Sequence, residues 1–318
     1  MTLFQRSSPA PSGTLVLAHP ERKAQRALQR LVGPARWPVQ IVADLDALAA
    51  AVDANAIVVV DADLARTRPA ICAGPARAWI AVPGEGSAPA APGTVEALLD
   101  AGWTHVAVHP MPLLAEELLT TLHKLIHGDV FGLEKYLTWA ADVHSYALDD
   151  AGDRPAVVAA LSADIMAAGL PERSGSLAGV IADELLTNAL YTAPVDADGQ
   201  RFRAREARDQ PRALAGRDRV TMRWGTDARY LALEVRDRWG SLDPSAIPRR
   251  LAGGAGKTPE GSDGGMGMLL VYSCCTQLVL GTAPSALTEV IALLDLRFGP
   301  SQLGSATSFH AFRGAPPA

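Results

Sequence analysis

The 318 residues carry a formal net charge of −5 and are 48% hydrophobic, enough apolar material for two packed cores and too little clustered positive charge for general binding to a nucleic-acid backbone. No run of about eighteen apolar residues is present, and residues 1–13 form a flexible, polar start containing Ser and Pro; neither a membrane span nor a secretory leader is read, and a cytoplasmic location is expected. The three cysteines, Cys72 far from the adjacent Cys274 and Cys275, give neither a disulfide framework nor metal-ligand spacing and are read as free thiols.

From residue 14 to residue 127 short apolar runs alternate with amphipathic segments, the rhythm of a parallel α/β domain. Strands are predicted at 14–18, 40–43, 56–60, 78–82 and 105–108, each followed by a helix, which fits a five-stranded doubly wound fold. Asp61 ends the third strand after Ile57-Val58-Val59-Val60. The region resembles a response-regulator receiver domain, in which the phosphate-accepting Asp holds that position. Where receivers place an acidic pair, however, this chain has His19-Pro20-Glu21; Val82-Pro83 replaces the hydroxyl residue, and His109 replaces the Lys before Pro110. Without a divalent ion to offset the incoming phosphoryl charge, Asp61 is expected to be a poor acceptor and the domain a pseudo-receiver.

A helix at 113–127 is predicted to run on into a helical connector over 128–150, which leaves a homodimer open. His123, His127 and His144 lie in or near it. In sensor kinases the phospho-accepting His precedes an acidic residue and a Pro; His123 is followed by Lys124-Leu125-Ile126 and His144 by Ser145-Tyr146-Ala147, so these are read as surface or packing histidines.

Residues 151–313 carry three islands. In Asp183-Glu184-Leu185-Leu186-Thr187-Asn188, Glu184 and Asn188 are four apart and share one side of a helix. That side is read as lying within the arc of Leu177, Val180 and Ile181, with Leu186 and Leu190 opposite, so carboxylate and amide are expected to be buried and to need partners. Residues 193–219, rich in Asp, Arg, Pro and Gly, read as a solvated insertion. An apolar strand, Leu231-Ala232-Leu233-Glu234-Val235, then delivers Asp237 to its end, before a turn at Trp239-Gly240. After a candidate lid at 243–263, Gly264, Gly265 and Gly267 lead into the apolar run from Met268, where backbone amides and a helix N-terminus could meet phosphate oxygens. The lid's Gly256-Lys257-Thr258 lacks the first glycine of a P-loop and is followed by Pro259, so a P-loop is rejected, although Lys257 could reach a γ-phosphate. Residues 314–318 form a tail.

In order and spacing these islands resemble the GHKL, or Bergerat-fold, ATP-binding domain of histidine kinases, anti-sigma-factor serine kinases and type II topoisomerases. The resemblance covers residues 130–313 and implies an α/β sandwich with a mixed sheet. It implies that Asn188, with Glu184, holds Mg²⁺ on ATP, that Asp237 reads the adenine amino group, and that Gly240, Gly265 and Gly267 line base and phosphates. Leu287-Thr288-Glu289-Val290-Ile291 resembles the strand that closes the family's sheet, placing Thr288 at the pocket. Trp239 stands where the family has a glycine, so it would either stack on adenine or fill the pocket. Glu184 would be the general base of the ATPase and anti-sigma branches, or an aid to the metal in the kinase branch.

Together these features lead to the expectation of a cytoplasmic bacterial signalling protein that binds Mg-ATP and passes phosphate to, or regulates, a partner protein, with no role for nucleic acid or membrane. A catalytically inactive scaffold and an ATP-hydrolysing conformational switch remain open beside it.

Overall fold

The computed structural model describes residues 13–84, 91, 93–139, 141–208, 210–253, 266–297 and 307–317; Lys257 and Gly265 fall outside these, as does most of the candidate lid. The fold is α/β, with one mixed sheet of eleven strands. Among the described residues no helix is long and apolar enough to cross a membrane.

The N-terminal half supplies β1 (Leu15–Ala18), α1 (Arg22–Val32), β2 (Val39–Val42), α2 (Leu45–Ala51), β3 (Ile57–Asp61), α3 (Ala62–Arg66), β4 (Ala78–Val82), α4 (Thr94–Asp100), β5 (His105–Val106) and α5 (Leu113–His127). Its strands run parallel in the order β2-β1-β3-β4-β5. Unbroken apolar sequences in β1, β3 and β4 suit strands covered on both faces, and each is wholly buried. Edge strand β2 is only partly covered.

The C-terminal half supplies β6 (Val143–Ala147), α6 (Arg154–Ala167), α7 (Glu172–Thr187), β7 (Val220–Thr226), β8 (Tyr230–Asp237), α8 (Ile247–Gly253), α9 (Met266–Cys274), β9 (Gln277–Ala283), β10 (Leu287–Asp295) and β11 (Ser308–Arg313). The strand order is β11-β9-β10-β8-β7-β6, antiparallel except for β11 beside β9. Apolar residues of α6, α7 and α9 pack on one face of these strands.

Two separate sheets were expected, but β11 joins β5 through Phe309–Val106 and His310–His105, and the halves share one sheet. So short a ladder needs side chains to hold it. The buried Glu117 of α5 provides them: its Oε1 lies 2.7 Å from His310 Nε2, and its Oε2 lies 3.5 Å from His109 Nδ1. Ser308 Oγ accepts from the Val108 amide at 3.1 Å and lies 3.1 Å from His109 Nδ1. Burial pushes the Glu117 carboxyl upward, but its hydrogen bonds with His109 and His310 outweigh that and hold it at about 2.

The helical connector expected over 128–150 does not form. Gly128, at φ 70°, ends α5, and Gly132 sits at φ 116°, backbone that only glycine adopts readily. A single 3-10 turn, Leu133–Lys135, and strand β6 occupy the segment instead. Its apolar residues Val130, Phe131, Leu133 and Tyr136 form a strap under the second face of the sheet. Two buried carboxylates pin the strap: Glu289 accepts from the Gly132 amide at 2.9 Å and Glu234 from the Leu133 amide at 2.9 Å. Arg236 bridges the pair, donating to Glu289 at 2.6 Å and to Glu234 at 3.1 Å. The apolar spacing that reads as a helix therefore serves a strap whose backbone is bound by side chains.

Because the folded-state carboxyl of Glu117 titrates below its ordinary value of 4.5, its contribution to stability is present above pH 4.5 and is lost as pH falls through about 2. Glu117→Gln is expected to destabilise the protein at pH 7 by about 3 kcal/mol, because it removes the buried negative charge and turns one of the two acceptor oxygens facing the histidines into an NH2 donor. Urea unfolding should show that gap narrowing at pH 3; a pH-independent gap would contradict the assignment.

Candidate functional site

Asn188 of the first island and Asp237 of the second line one cleft. Its wall includes Asn188 and Leu185 from α7 and the turn after it, Asp237 and Val235 from β8, Thr288 and Val290 from β10, and Met268 from α9. Together with its solvent mouth the cleft spans about 590 Å³ of space not filled by atoms.

Helix α7 is turned differently from its sequence reading. Ala178, Ile181, Ala182, Leu185 and Leu186 face inward, and Val180 is 40% exposed. Glu184 is therefore only part-buried and also borders an open groove between α6 and α7; the deeply buried carboxylate that was expected is not found. At Asn188 the helix widens into a π turn, Asn188–Thr192, closed by the Ala193 amide donating to the Asn188 carbonyl at 2.8 Å. Single π turns often mark functional sites. Asn188 Nδ2 is buried and has no hydrogen-bond partner.

Gly267, one residue into α9, lies against this pair. A Cβ there would overlap Glu184 Oε2 and come within 3.6 Å of Asn188 Nδ2. The absence of a side chain keeps the space beside Glu184 and Asn188 open.

Asp237 ends β8 on another wall of the cleft and is 5% exposed. Its Oδ1 accepts from the Trp239 amide at 2.8 Å and the Gly240 amide at 3.4 Å. Burial pushes its carboxyl up to about 6, against the pull of those amides. Thr288 is its partner across the β8–β10 ladder, with a buried hydroxyl close enough to the carboxylate to oppose the effect of burial on it.

Trp239 neither stacks into the cleft nor fills it. It is buried away from the lining, edge-on to Phe202 at 6.0 Å and beneath the Arg217 guanidinium at 4.5 Å. Gly240 makes the turn possible: its φ is 57°, and a Cβ would lie 2.6 Å from the Ala286 amide and 2.7 Å from that of Ser285. The glycine one position later than the family's pattern is thus required by close approach to the β9–β10 turn.

Two residues were missed from sequence. Arg201, within the insertion at 193–219, and Arg250 of α8 both line the cleft, and neither has an ion-pair partner among the described residues. Burial, followed by the nearby Arg250 charge, lowers the Arg201 pKa. The insertion is also tied down rather than fully solvated: Arg203 makes a two-pronged pair with Asp218 at 2.8 Å, and Tyr191 Oη donates to the Arg208 carbonyl at 3.1 Å. A mixed-charge loop gives no sign of which arginine turns inward.

At the other candidate site, Asp61 Oδ1 accepts from the Leu64 amide at 2.8 Å and caps α3. Burial raises its pKa, and His19 Nε2 lies 3.5 Å from its Oδ2. Glu21 is exposed, and Asp63 is engaged with Thr94 Oγ1 at 2.9 Å. Among the described residues no cluster of three His, Cys, Asp or Glu side chains is arranged to hold a metal. His123 and His127 are exposed and lie ring to ring at 4.5 Å; His144 stacks on Trp224 and pairs with Asp164 at 3.2 Å.

An Asp whose folded-state pKa is raised weakens the fold as pH rises from its ordinary 3.8 through about 6. Asp237→Asn is accordingly expected to stabilise the protein by about 1–3 kcal/mol at pH 7.5, a gain that thermal unfolding should show shrinking towards pH 4. A variant less stable than wild type at pH 7.5 would mean that the carboxylate is a structural anchor. No protein-family model matches the chain and no curated protein matches its sequence, so what the cleft binds is inferred from its own residues.

Proposed function

We propose that the cleft binds Mg-ATP in the manner of a GHKL domain, joined to a receiver-like half without receiver chemistry. The protein would act in bacterial signal transduction, passing phosphate to, or regulating, a partner protein. The observation that carries this reading is that one cleft is walled by a buried, unpaired Asn188 Nδ2 and the buried Asp237 carboxylate, with the Cβ-free space at Gly267 against Asn188. A buried polar atom without a partner costs free energy that a ligand can recover.

In this reading the ionised Asp237 accepts a hydrogen bond from the exocyclic amine of adenine, with Thr288 beside it. Rotation of the Asn188 amide presents Oδ1 to Mg²⁺, and the part-exposed Glu184 supplies the nearest carboxylate. The ion would neutralise phosphate charge when bound. Arg201 and Arg250, at the same cleft and without an ion pair among the described residues, suit the phosphate oxygens. The π turn holds Asn188 towards them. Glu184, free of ion pairs among the described residues, can accept a proton from water or from a partner's hydroxyl. His19 beside Asp61 provides no second carboxylate for a metal, which supports a pseudo-receiver.

Calorimetric titration of the full chain with ATP, with and without Mg²⁺, tests the reading. Binding should strengthen with Mg²⁺ and weaken at least a hundredfold in Asp237→Ala, about 3 kcal/mol. Asn188→Ala should remove the Mg²⁺ dependence. Arg201→Gln with Arg250→Gln should weaken ATP binding about tenfold and leave adenosine binding unchanged. Affinity for ATP should also fall as pH drops through about 6, where Asp237 takes up a proton and ceases to be a pure acceptor. Failure of the wild type to bind ATP, or binding indifferent to Asp237→Ala, would overturn the reading.

A further inference from the structure

A second cleft lies between the two halves, on the strap side of the β5–β11 seam, and holds about 920 Å³ with its open mouth. The N-terminal half contributes Arg77, His105 and Lys124; the C-terminal half contributes Asp243, Phe312 and Arg313. The nucleotide reading uses none of these residues.

Its polar groups are mostly donors. Lys124 is fully buried, yet its ammonium has no carboxylate within ion-pairing distance among the described residues. It donates to the Tyr136 hydroxyl at 2.7 Å and otherwise lies 4.6 Å and 4.7 Å from the centres of the Tyr136 and Phe312 rings. Burial draws it down to about 7 in spite of the Glu289 charge nearby. An ammonium left with one neutral hydroxyl has unused donor capacity. His105 is 2% exposed, and its Nδ1 is buried with no hydrogen-bond partner. Arg77 is exposed at the mouth and has no ion pair among the described residues. Arg313, 66% exposed at its side chain, reaches Asp243 only at 3.9 Å. The carboxylate of Asp243 is already engaged, its Oδ1 accepting from the Ser245 amide at 3.0 Å and the Ser245 hydroxyl at 2.8 Å.

The geometry points to a binding site for a small phosphate-bearing ligand in this seam cleft, with Arg77 and Arg313 gripping the oxyanion at the mouth and Lys124 and His105 at the floor. Guanidinium pairs suit the flat forks of phosphate oxygens, and two arginines and a lysine against the single carboxylate of Asp243 favour anions over cations. Since the residues come from both halves, a bound phosphate would bridge the seam.

Calorimetry of the full chain with pyrophosphate and, separately, a sugar monophosphate at matched ionic strength tests the site. Arg77→Gln with Arg313→Gln, both exposed and so compatible with folding, should weaken binding at least tenfold while leaving the thermal midpoint without anion unchanged. Lys124→Met should weaken it further. Asp237→Ala should leave it intact, which separates this site from the nucleotide cleft whether or not that cleft takes ATP. Tighter binding of the sugar phosphate would identify a phosphorylated metabolite, and tighter binding of pyrophosphate a free phosphate species; either supports the site. No binding at millimolar concentrations overturns it, as does binding that survives the double arginine change or is lost in Asp237→Ala.

Discussion

The two-pair ladder between β5 and β11 is the constraint on which the rest of the architecture depends. Two residues on each strand supply few backbone hydrogen bonds, so the join is secured through side chains: Glu117 with His310 and His109, and Ser308 with Val108 and His109. Buried charge of this kind is costly to desolvate and costlier to leave half-paired, which makes the seam specific in register rather than merely adhesive. Across it α8 packs on α4, and Ile247 and Leu251 share one core cluster with Leu98 and Leu99. Helix α8 also brings Ile247 and Arg250 to the first cleft, so the wall of that cleft rests on the N-terminal half.

The same economy of polar groups runs through the second half. Glu234 and Glu289 lie close enough that burial and mutual repulsion lift Glu234 to about 7, and Arg236, Arg223 and two strap amides compensate them. The first cleft differs. Asn188 Nδ2 is buried without a partner, burial lifts the Asp237 carboxyl to about 6, and two arginines have no carboxylate partner among the described residues. Unmet polar capacity concentrated at a concave surface is the physical mark of a site kept for a ligand.

Much of this was legible in the sequence. Uninterrupted apolar runs gave β1, β3 and β4 within a residue, because a strand covered on both faces tolerates little else. The i, i+4 spacing of Glu184 and Asn188 and the strand ending in Asp237 pointed to one place; the structure puts Asn188 and Asp237 on one cleft and Gly267 against Asn188 and Glu184. Other features depend on tertiary contacts with no local signature. The strap at 130–136 has helix-like apolar spacing, yet glycine dihedrals and amide capture by distant carboxylates decide its form. The π turn at Asn188 has no signature in the residues that form it, and the inward turn of Arg201 cannot be told from its neighbours in a mixed-charge insertion. Trp239, ambiguous in sequence, is settled by Phe202 and Arg217, which hold it outside the lining.

The central claim is that the cleft between α7, β8 and β10 receives a purine nucleotide with its base at Asp237 and its phosphates towards Asn188 and Gly267. A crystal structure of the full chain with Mg²⁺ and a non-hydrolysable ATP analogue tests it most directly. The account expects the adenine amino group within hydrogen-bonding distance of an Asp237 oxygen, and the metal on Asn188. Nucleotide density elsewhere on the protein, or an analogue lying in the cleft with its phosphates at Asp237, would contradict it.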